Sequence, residues 1–308
     1  MVRPANYLTA ATQIPTRTVM SRPFPPRYRG LREIAPSYAG LLSDVWGVVH
    51  NGMRAFPDAV SALARYRSEG GRVALITNAP RRRQLVAEQL AALGVPADAY
   101  DVLVTSGETA HEQLRSRGRL RIFHVGTQIH RTLFDGLDVA LVDEDACELV
   151  CCTGLFDDET ETPDHYGERL QRWRRKNLPM MCVNPDIVVE RGDRLIWCAG
   201  ALARDYRAAG GTVEMIGKPF APVYEAAWQM LNALDGGPIA RERLLAIGDG
   251  AETDLRGAQN FGLDALFVTG GIHAESFGDR SEPDPMAIQK CLNTAGVTAV
   301  GYVPGLSW

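Results

Sequence analysis

An α/β protein built on a doubly wound, Rossmann-like parallel sheet with an inserted α/β unit is what the sequence predicts, and three observations predict it. Short apolar runs of strand length alternate with longer segments whose apolar residues recur at helical spacing. That alternation implies parallel strands joined by helical crossovers. Several of the runs end directly in a polar group, as expected of a fold that collects its ligands at the carboxyl ends of its strands. At 308 residues the chain is long for one core, so a main domain and a smaller partner are expected.

The elements follow in order. Residues 1–36 are rich in arginine, carry no acid before Glu33 and contain Pro4, Pro15, Pro23, Pro25 and Pro26, which oppose helix. This stretch reads as an arm; a transit peptide, an extended start upstream of Met20 and a surface arm all remain open. Residues 41–49 read as a strand and 57–69 as a helix stopped by Gly70 and Gly71. The alternation continues with a strand over 72–77, a helix over 81–93 ending at Gly94, a strand over 101–105 and a helix over 108–117. Apolar runs at 121–126, 139–142, 148–153 and 180–183, with a strongly basic helix over 164–176, read as the inserted unit, residues 120–211. The main domain is then 37–119 and 212–308, its second half opening on strands at 212–216, 244–248 and 264–268, with a helix over 223–234.

Composition narrows the function. With 45% hydrophobic and 23% charged residues the chain can build a sizeable core, and a net charge of -4 supplies no basic field for nucleic acid or an anionic membrane. A small-molecule partner is expected, with a homo-oligomer left open. No apolar run reaches the roughly 18 residues of a membrane span and no secretory core follows the first charges, so the expectation is cytoplasmic. The six cysteines, five of them between 147 and 198, show no pair separated by two residues, which disfavours zinc and favours reduced core thiols.

Four segments carry candidate chemistry: Asp44 in LLSDVWGVVHNG, Thr77 and Asn78 ending VALITN, Lys218 in VEMIGKP, and Asp249 with Asp254 in LLAIGDGAETD. Each has an ordinary structural explanation. Asp44 caps a turn before Gly47, Asn78 precedes Ala-Pro as turns do, Lys218 sits on a loop, and the two acids complement a helix N-terminus. Together they make an inventory for phosphoryl transfer, namely a nucleophile, acids to hold a cation, and donors for charged oxygens. Gly217-Lys218 is not a nucleotide-binding loop, because Pro219 stands where a hydroxyl residue is required.

These segments, in this order, resemble the haloacid dehalogenase superfamily, and the long insertion between the second and third resembles its class IIA subgroup of 4-nitrophenyl phosphatase-like and phosphoglycolate phosphatase-like enzymes. The glycine and proline spacing of HNGMRAFPDAV, the VNPD at 183–186 and the AGALA at 199–203 add to the likeness, which spans about residues 40 to 275. The resemblance implies a haloacid-dehalogenase core with a cap domain inserted. It implies Asp44 as a nucleophile forming an aspartyl-phosphate and Thr77 with Asn78 as a phosphate grip, with Lys218 screening charge and binding phosphate. It further implies Mg²⁺ held by Asp44, Asp249 and the backbone carbonyl of Trp46, with Asp254 as the outer acid that orients the metal's waters. The implied partner is a small phosphorylated metabolite.

One departure matters. Where family phosphatases carry a second aspartate, two after the nucleophile, to protonate the leaving group, this chain has Trp46. Three readings follow. The first is a phosphatase of substrates with easy leaving groups, or one drawing its acid from His50, His124 or His165. The second is a silent phosphate-binding or regulatory relic, and the third is a 2-haloacid dehalogenase-like hydrolase, which also carries an aromatic residue there. In the cap, Arg169, Arg172, Arg174, Arg175 and Lys176 read as a solvated basic face, while Asn184 and Asp186 are either part of a cap-to-core segment or the flanks of a Pro185 turn.

Overall fold

The computed structural model describes residues 24–192 and 194–308. The main sheet begins with β1 (Gly40–Asp44), α1 (Pro57–Ser68), β2 (Arg72–Thr77), α2 (Arg83–Ala92) and β3 (Val102–Thr105). All five residues of β1 are buried, as expected of a strand covered on both faces, so its sequence runs apolar up to the final aspartate. In α1 the proline falls in the first turn, where no N–H is needed, and Ala59, Ala62, Leu63 and Tyr66 stack on one face against the sheet. Helix α3 (Ser106–Arg117) follows, capped by the Thr105 hydroxyl, which accepts the Glu108 N–H at 2.9 Å.

The chain then builds a second sheet. Its elements are β4 (Leu120–Val125), β5 (Val139–Leu141), β6 (Leu149–Cys152), α4 (Gly167–Arg175) and β7 (Met180–Cys182), then an antiparallel hairpin of β8 (Val188–Arg191) and β9 (Arg194–Trp197), α5 (Ala199–Ala208) and β10 (Val213–Met215). It returns through α6 (Ala221–Asn232), β11 (Leu244–Gly248), α7 (Arg256–Phe261), β12 (Asp264–Val268), α8 (Pro285–Ala295) and β13 (Gly301–Val303).

The six-stranded main sheet has the order β13-β12-β11-β1-β2-β3, every pair parallel. The winding reverses between β1 and β11, and that switch point is where a doubly wound sheet opens a crevice. Residues alternate between two apolar layers. Leu42, Ala74, Ile76 and Ala246 face α6, α7 and α8, while Leu41, Val73, Leu75, Leu245 and Ile247 face α1 and α2. The second sheet, ordered β10-β7-β6-β4-β5, is also parallel, with α4 and α5 packed through Trp173, Leu202 and Tyr206 on one face.

Three boundaries differ from the sequence expectation. The strand expected at 212–216 to reopen the main sheet instead pairs with β7 as an edge of the second sheet, Val213 opposite Met180. Helix α3, expected in the main domain, turns Ala110 and Leu114 into the other apolar face of the second sheet. An apolar strand or helix face carries no label for which sheet it joins; the partner is decided by distant residues. The described end of the expected arm is also not loose. Leu31, Ile34 and Ala35, spaced as a helical turn, are buried in the main core, and the Tyr28 N–H bonds the Tyr302 carbonyl at 2.9 Å. Its proline-rich beginning, residues 1–23, with the transit-peptide and Met20 alternatives, lies outside the described residues.

Candidate active site

The four polar segments meet at the switch point. Asp44 ends β1 and Asp249 follows β11 directly; Ser43 pairs with Ile247, so the two acids emerge side by side from adjacent central strands. Thr77 ends β2, next to β1 on the other side. Lys218, 3% exposed, sits between the second sheet and α6 and reaches into the crevice, where its Nζ donates to Asp44 Oδ1 at 2.5 Å and to Asp254 Oδ1 at 2.7 Å. Ligand oxygens of Asp44, Asp249 and Asp254 all lie within 4.8 Å of one another.

Local backbone chemistry produces this convergence. After β11 the chain makes one widened turn, Ala251–Leu255, in which the Leu255 N–H reaches the Gly250 carbonyl five residues back at 3.1 Å. Such turns recur at functional sites because the extra residue re-aims a side chain. Here Asp254 is turned inward, its Oδ2 accepting the Gly250 N–H at 3.0 Å. Gly47 has φ of +80°, and a Cβ there would lie 2.0 Å from Asp249 Oδ2, so only glycine lets the loop after Asp44 pass over that acid. Asp249 Oδ2 in turn accepts the Ile272 N–H at 2.8 Å. Gly217, at φ +132°, allows a close approach to Asn78, whose Oδ1 would lie 2.5 Å from a Cβ there and accepts the Lys218 N–H at 2.8 Å.

The electrostatics are those of a crowded anion site. Burial, then the neighbouring Asp254, pushes the Asp44 carboxyl well above the ordinary range, against the opposing pull of Lys218. Burial and Asp254 push Asp249 up to about 7, offset in part by the Ile272 N–H. Burial opposes charge on Lys218, but Asp254 and Asp44 outweigh it and hold the ammonium well above its usual value. Three buried carboxylates share one lysine, and a divalent cation is the species that relieves such a surplus. The donor set, all oxygen and hard, fits Mg²⁺ or Ca²⁺ rather than a metal preferring thiolate or imidazole.

A pH prediction follows from Asp249. Its folded value is raised from 3.8 to about 7, so its contribution to stability is complete below the unfolded value and is lost as pH rises through about 7. Metal-free protein is therefore expected to melt at progressively lower temperature from pH 5 to pH 8, and saturating Mg²⁺ to raise the melting temperature most at the alkaline end. A melting temperature that is flat with pH, or a Mg²⁺ shift greatest at pH 5, would contradict this account of the acids.

Thr77 is buried, with its Oγ1 accepting the Ala79 N–H at 3.2 Å. The Trp46 indole N–H donates to the Glu190 carbonyl in the hairpin at 2.5 Å. Of the three histidines weighed as acids, His50 packs edge-on to Trp46 with ring centroids 5.0 Å apart. Burial lowers it to about 4, and its Nδ1 accepts the Gly52 N–H at 2.9 Å. His124 lies in β4 bonded to the Thr153 hydroxyl, and exposed His165 caps a short helical turn with Thr162. The basic face of α4 is occupied with its own surface, Arg169 and Arg172 pairing with Glu144 and Lys176 with Asp145. All six cysteines are unpaired.

Sequence reasoning left Asp186 undecided. The structure joins it to the second motif, the Asn78 Nδ2 donating to Asp186 Oδ1 at 2.9 Å, and burial raises its carboxyl. The hairpin that meets Trp46 was not anticipated at all. The signal was present, since short apolar runs, Ile187 to Val189 and Leu195 to Trp197, flank the pair Gly192-Asp193, a two-residue hairpin signature.

Residues 41–140 match the family model described as haloacid dehalogenase-like hydrolase, and residues 215–295 match one described as HAD-hydrolase-like. A solved hydrolase of the haloacid dehalogenase-like family from Brucella suis 1330 is 45% identical, with a TM-score of 0.81 over 92% of this chain and 99% of that one. The 5'-nucleotidase YutF of Bacillus subtilis is 25% identical over 255 residues, 82% of this chain and 95% of its own length. A glycerol phosphate phosphatase from Mycobacterium tuberculosis, solved with calcium, is 25% identical with a TM-score of 0.60, covering 82% of this chain and 73% of that one. The same enzyme has been solved with magnesium (24% identity, TM-score 0.61, 82% of this chain and 75% of that one).

Proposed function

Because the chain belongs to the haloacid dehalogenase-like hydrolases, in the class IIA arrangement with its insertion between the second and third motifs, we propose that it is a magnesium-dependent phosphatase of small phosphorylated metabolites. The observation that carries this reading is the Lys218 ammonium seated between Asp44 and Asp254, with Asp249 completing a buried group of three acids. A silent relic has no need to keep that arrangement, and a halide-releasing enzyme has no need of three acids that invite a cation.

In this reading an Asp44 carboxylate oxygen attacks phosphorus, the bond to the leaving oxygen breaks, and an acyl phosphate forms on Asp44. Water then attacks that phosphorus and regenerates the carboxylate. Lys218 lowers the negative charge between the nucleophile and the incoming phosphoryl group, and Thr77 with the Asn78 backbone grips the equatorial oxygens. Mg²⁺ held by Asp44, Asp249 and the Trp46 carbonyl, with Asp254 orienting its waters, would neutralise charge on the phosphoryl oxygens. The insertion acts as the cap that shields the reaction from bulk water. Asp186, clamped by Asn78, fixes the joint between cap and phosphate grip.

No indole can protonate a leaving alkoxide, and general acid catalysis is worth roughly 10² to 10⁴ in rate. Purified protein with Mg²⁺ is therefore expected to hydrolyse acetyl phosphate and 4-nitrophenyl phosphate about 10²-fold faster than a sugar phosphate. Chelator should stop all three reactions, and Trp46→Asp should broaden turnover toward the sugar phosphate. Equal rates on the three substrates would defeat the account of Trp46, and phosphate release untouched by chelator would defeat the metal assignment. Chloride release from a 2-chloro acid, with no phosphate turnover, would favour the dehalogenase.

A further inference from the structure

The position two after the nucleophile is occupied by a side chain that performs another task. Its indole N–H crosses from the main sheet to the second unit and ends on the backbone carbonyl of Glu190 in β8, 144 residues away. The ring is itself held in place. It packs edge-on against buried His50, and Gly52, at φ +82°, passes so close that a Cβ there would lie 2.6 Å from the indole. Beside it, the Gly192 N–H at the hairpin turn bonds the Asn51 carbonyl at 3.4 Å. The loop that follows the nucleophile thus holds the hairpin at two backbone points.

The hairpin's described ion pairs are to its own unit. Arg191 pairs with Asp158 at 2.8 Å and Glu159 at 2.7 Å, and Arg194 pairs with Glu159 at 2.6 Å. All of these side chains are partly exposed, so such pairs are individually weak, on the order of 0 to 1 kcal/mol. A β-hairpin of two short strands is marginal by itself in water. Among the described hydrogen bonds, what ties it to the loop after Asp44 is therefore the bond from Trp46, a half-buried contact with a directional donor, together with the Asn51 carbonyl.

We propose that Trp46 is a positioning residue: it holds the β8–β9 hairpin as a fixed wall over the nucleophile, and through that wall it sets which leaving groups fit beside Asp44. The chain has exchanged an acid for a clasp. Since Trp46 lies two residues from Asp44, the wall stands where the non-reacting part of a substrate would project. Its effect should grow with the size of the leaving group and be least for acetyl phosphate. The specificity half of this inference rests on the phosphatase reading; the clasp does not.

Trp46→Phe keeps an aromatic ring but removes the N–H donor together with part of the indole, and unlike Trp46→Asp it supplies no acid. Amide hydrogen exchange of residues 188–197, measured without substrate on wild type and Trp46→Phe, is expected to accelerate at least ten-fold in the variant while β1 and β11 keep their protection. Unchanged hairpin exchange would overturn the clasp, whatever the enzyme hydrolyses. In steady-state assays the ratio of KM for a sugar phosphate to KM for acetyl phosphate is expected to change at least five-fold in Trp46→Phe. A variant that moves both KM values equally, or lowers only kcat, would overturn the specificity role. Loss of all phosphatase activity in the wild type would refute the phosphatase reading and leave the exchange result to decide the clasp.

Discussion

Asp44→Asn is expected to reduce kcat on acetyl phosphate by on the order of 10⁴ or more, measured as phosphate release with saturating Mg²⁺. The amide keeps the shape and can still take part in hydrogen bonds, but it is not a nucleophile toward phosphorus, so no acyl phosphate can form. The fold should survive. Asp44 is one of three crowded buried carboxyls, and neutralising it removes like-charge repulsion at the same time as it removes the 2.5 Å ion pair with Lys218. The melting temperature of the variant is expected to change little without metal and to respond less to Mg²⁺ than that of wild type. Residual turnover above a hundredth of wild type would mean that another group attacks phosphorus.

Lys218→Met is expected to be the more damaging change to stability. The methionine fills similar volume, but it strips the positive charge from Asp44 and Asp254 in a site where both are almost wholly enclosed. Removing one partner from a buried charge cluster typically costs about 3 to 5 kcal/mol, because the remaining charges lose their compensation. Two controls identify the cause. The deficit, read from urea unfolding, should shrink at pH 5, where the raised carboxyls take up protons, and should shrink again when Mg²⁺ replaces part of the missing charge. A deficit insensitive to both would point to packing rather than electrostatics. Activity should fall as well, since nothing else described in the crevice places a cation against Asp44.

Much of the site was legible because buried parallel strands run apolar to their ends and then stop at a charged or polar residue. Asp44, Thr77 and Asp249 each stand at such a stop, and strand pairing between β1, β2 and β11 does the rest. Lys218 and Asp254 were singled out with the same segments, VEMIGKP and LLAIGDGAETD, although neither ends a strand of the main sheet, and only the roles given to them came through family likeness. The reading of the histidines as stand-in acids was generic. His165 caps a turn on the surface and His124 serves a hydroxyl within the second sheet, each a local use that isolated residues do not announce. Asp186 was left undecided because its partner, Asn78, lies 108 residues away.

The sequence by itself determined the alternating strands and helices, the apolar faces that cover the main sheet, and the residues that would stand at strand ends, because periodicity, capping and burial are local properties. Tertiary structure alone decided that β10 and α3 join the second sheet, that Leu31 and Ile34 are core, and that the Trp46 indole N–H ends on the Glu190 carbonyl of the hairpin. Such choices depend on which distant surface offers the better burial or the missing acceptor, and neither partner's own stretch of chain encodes the other's position.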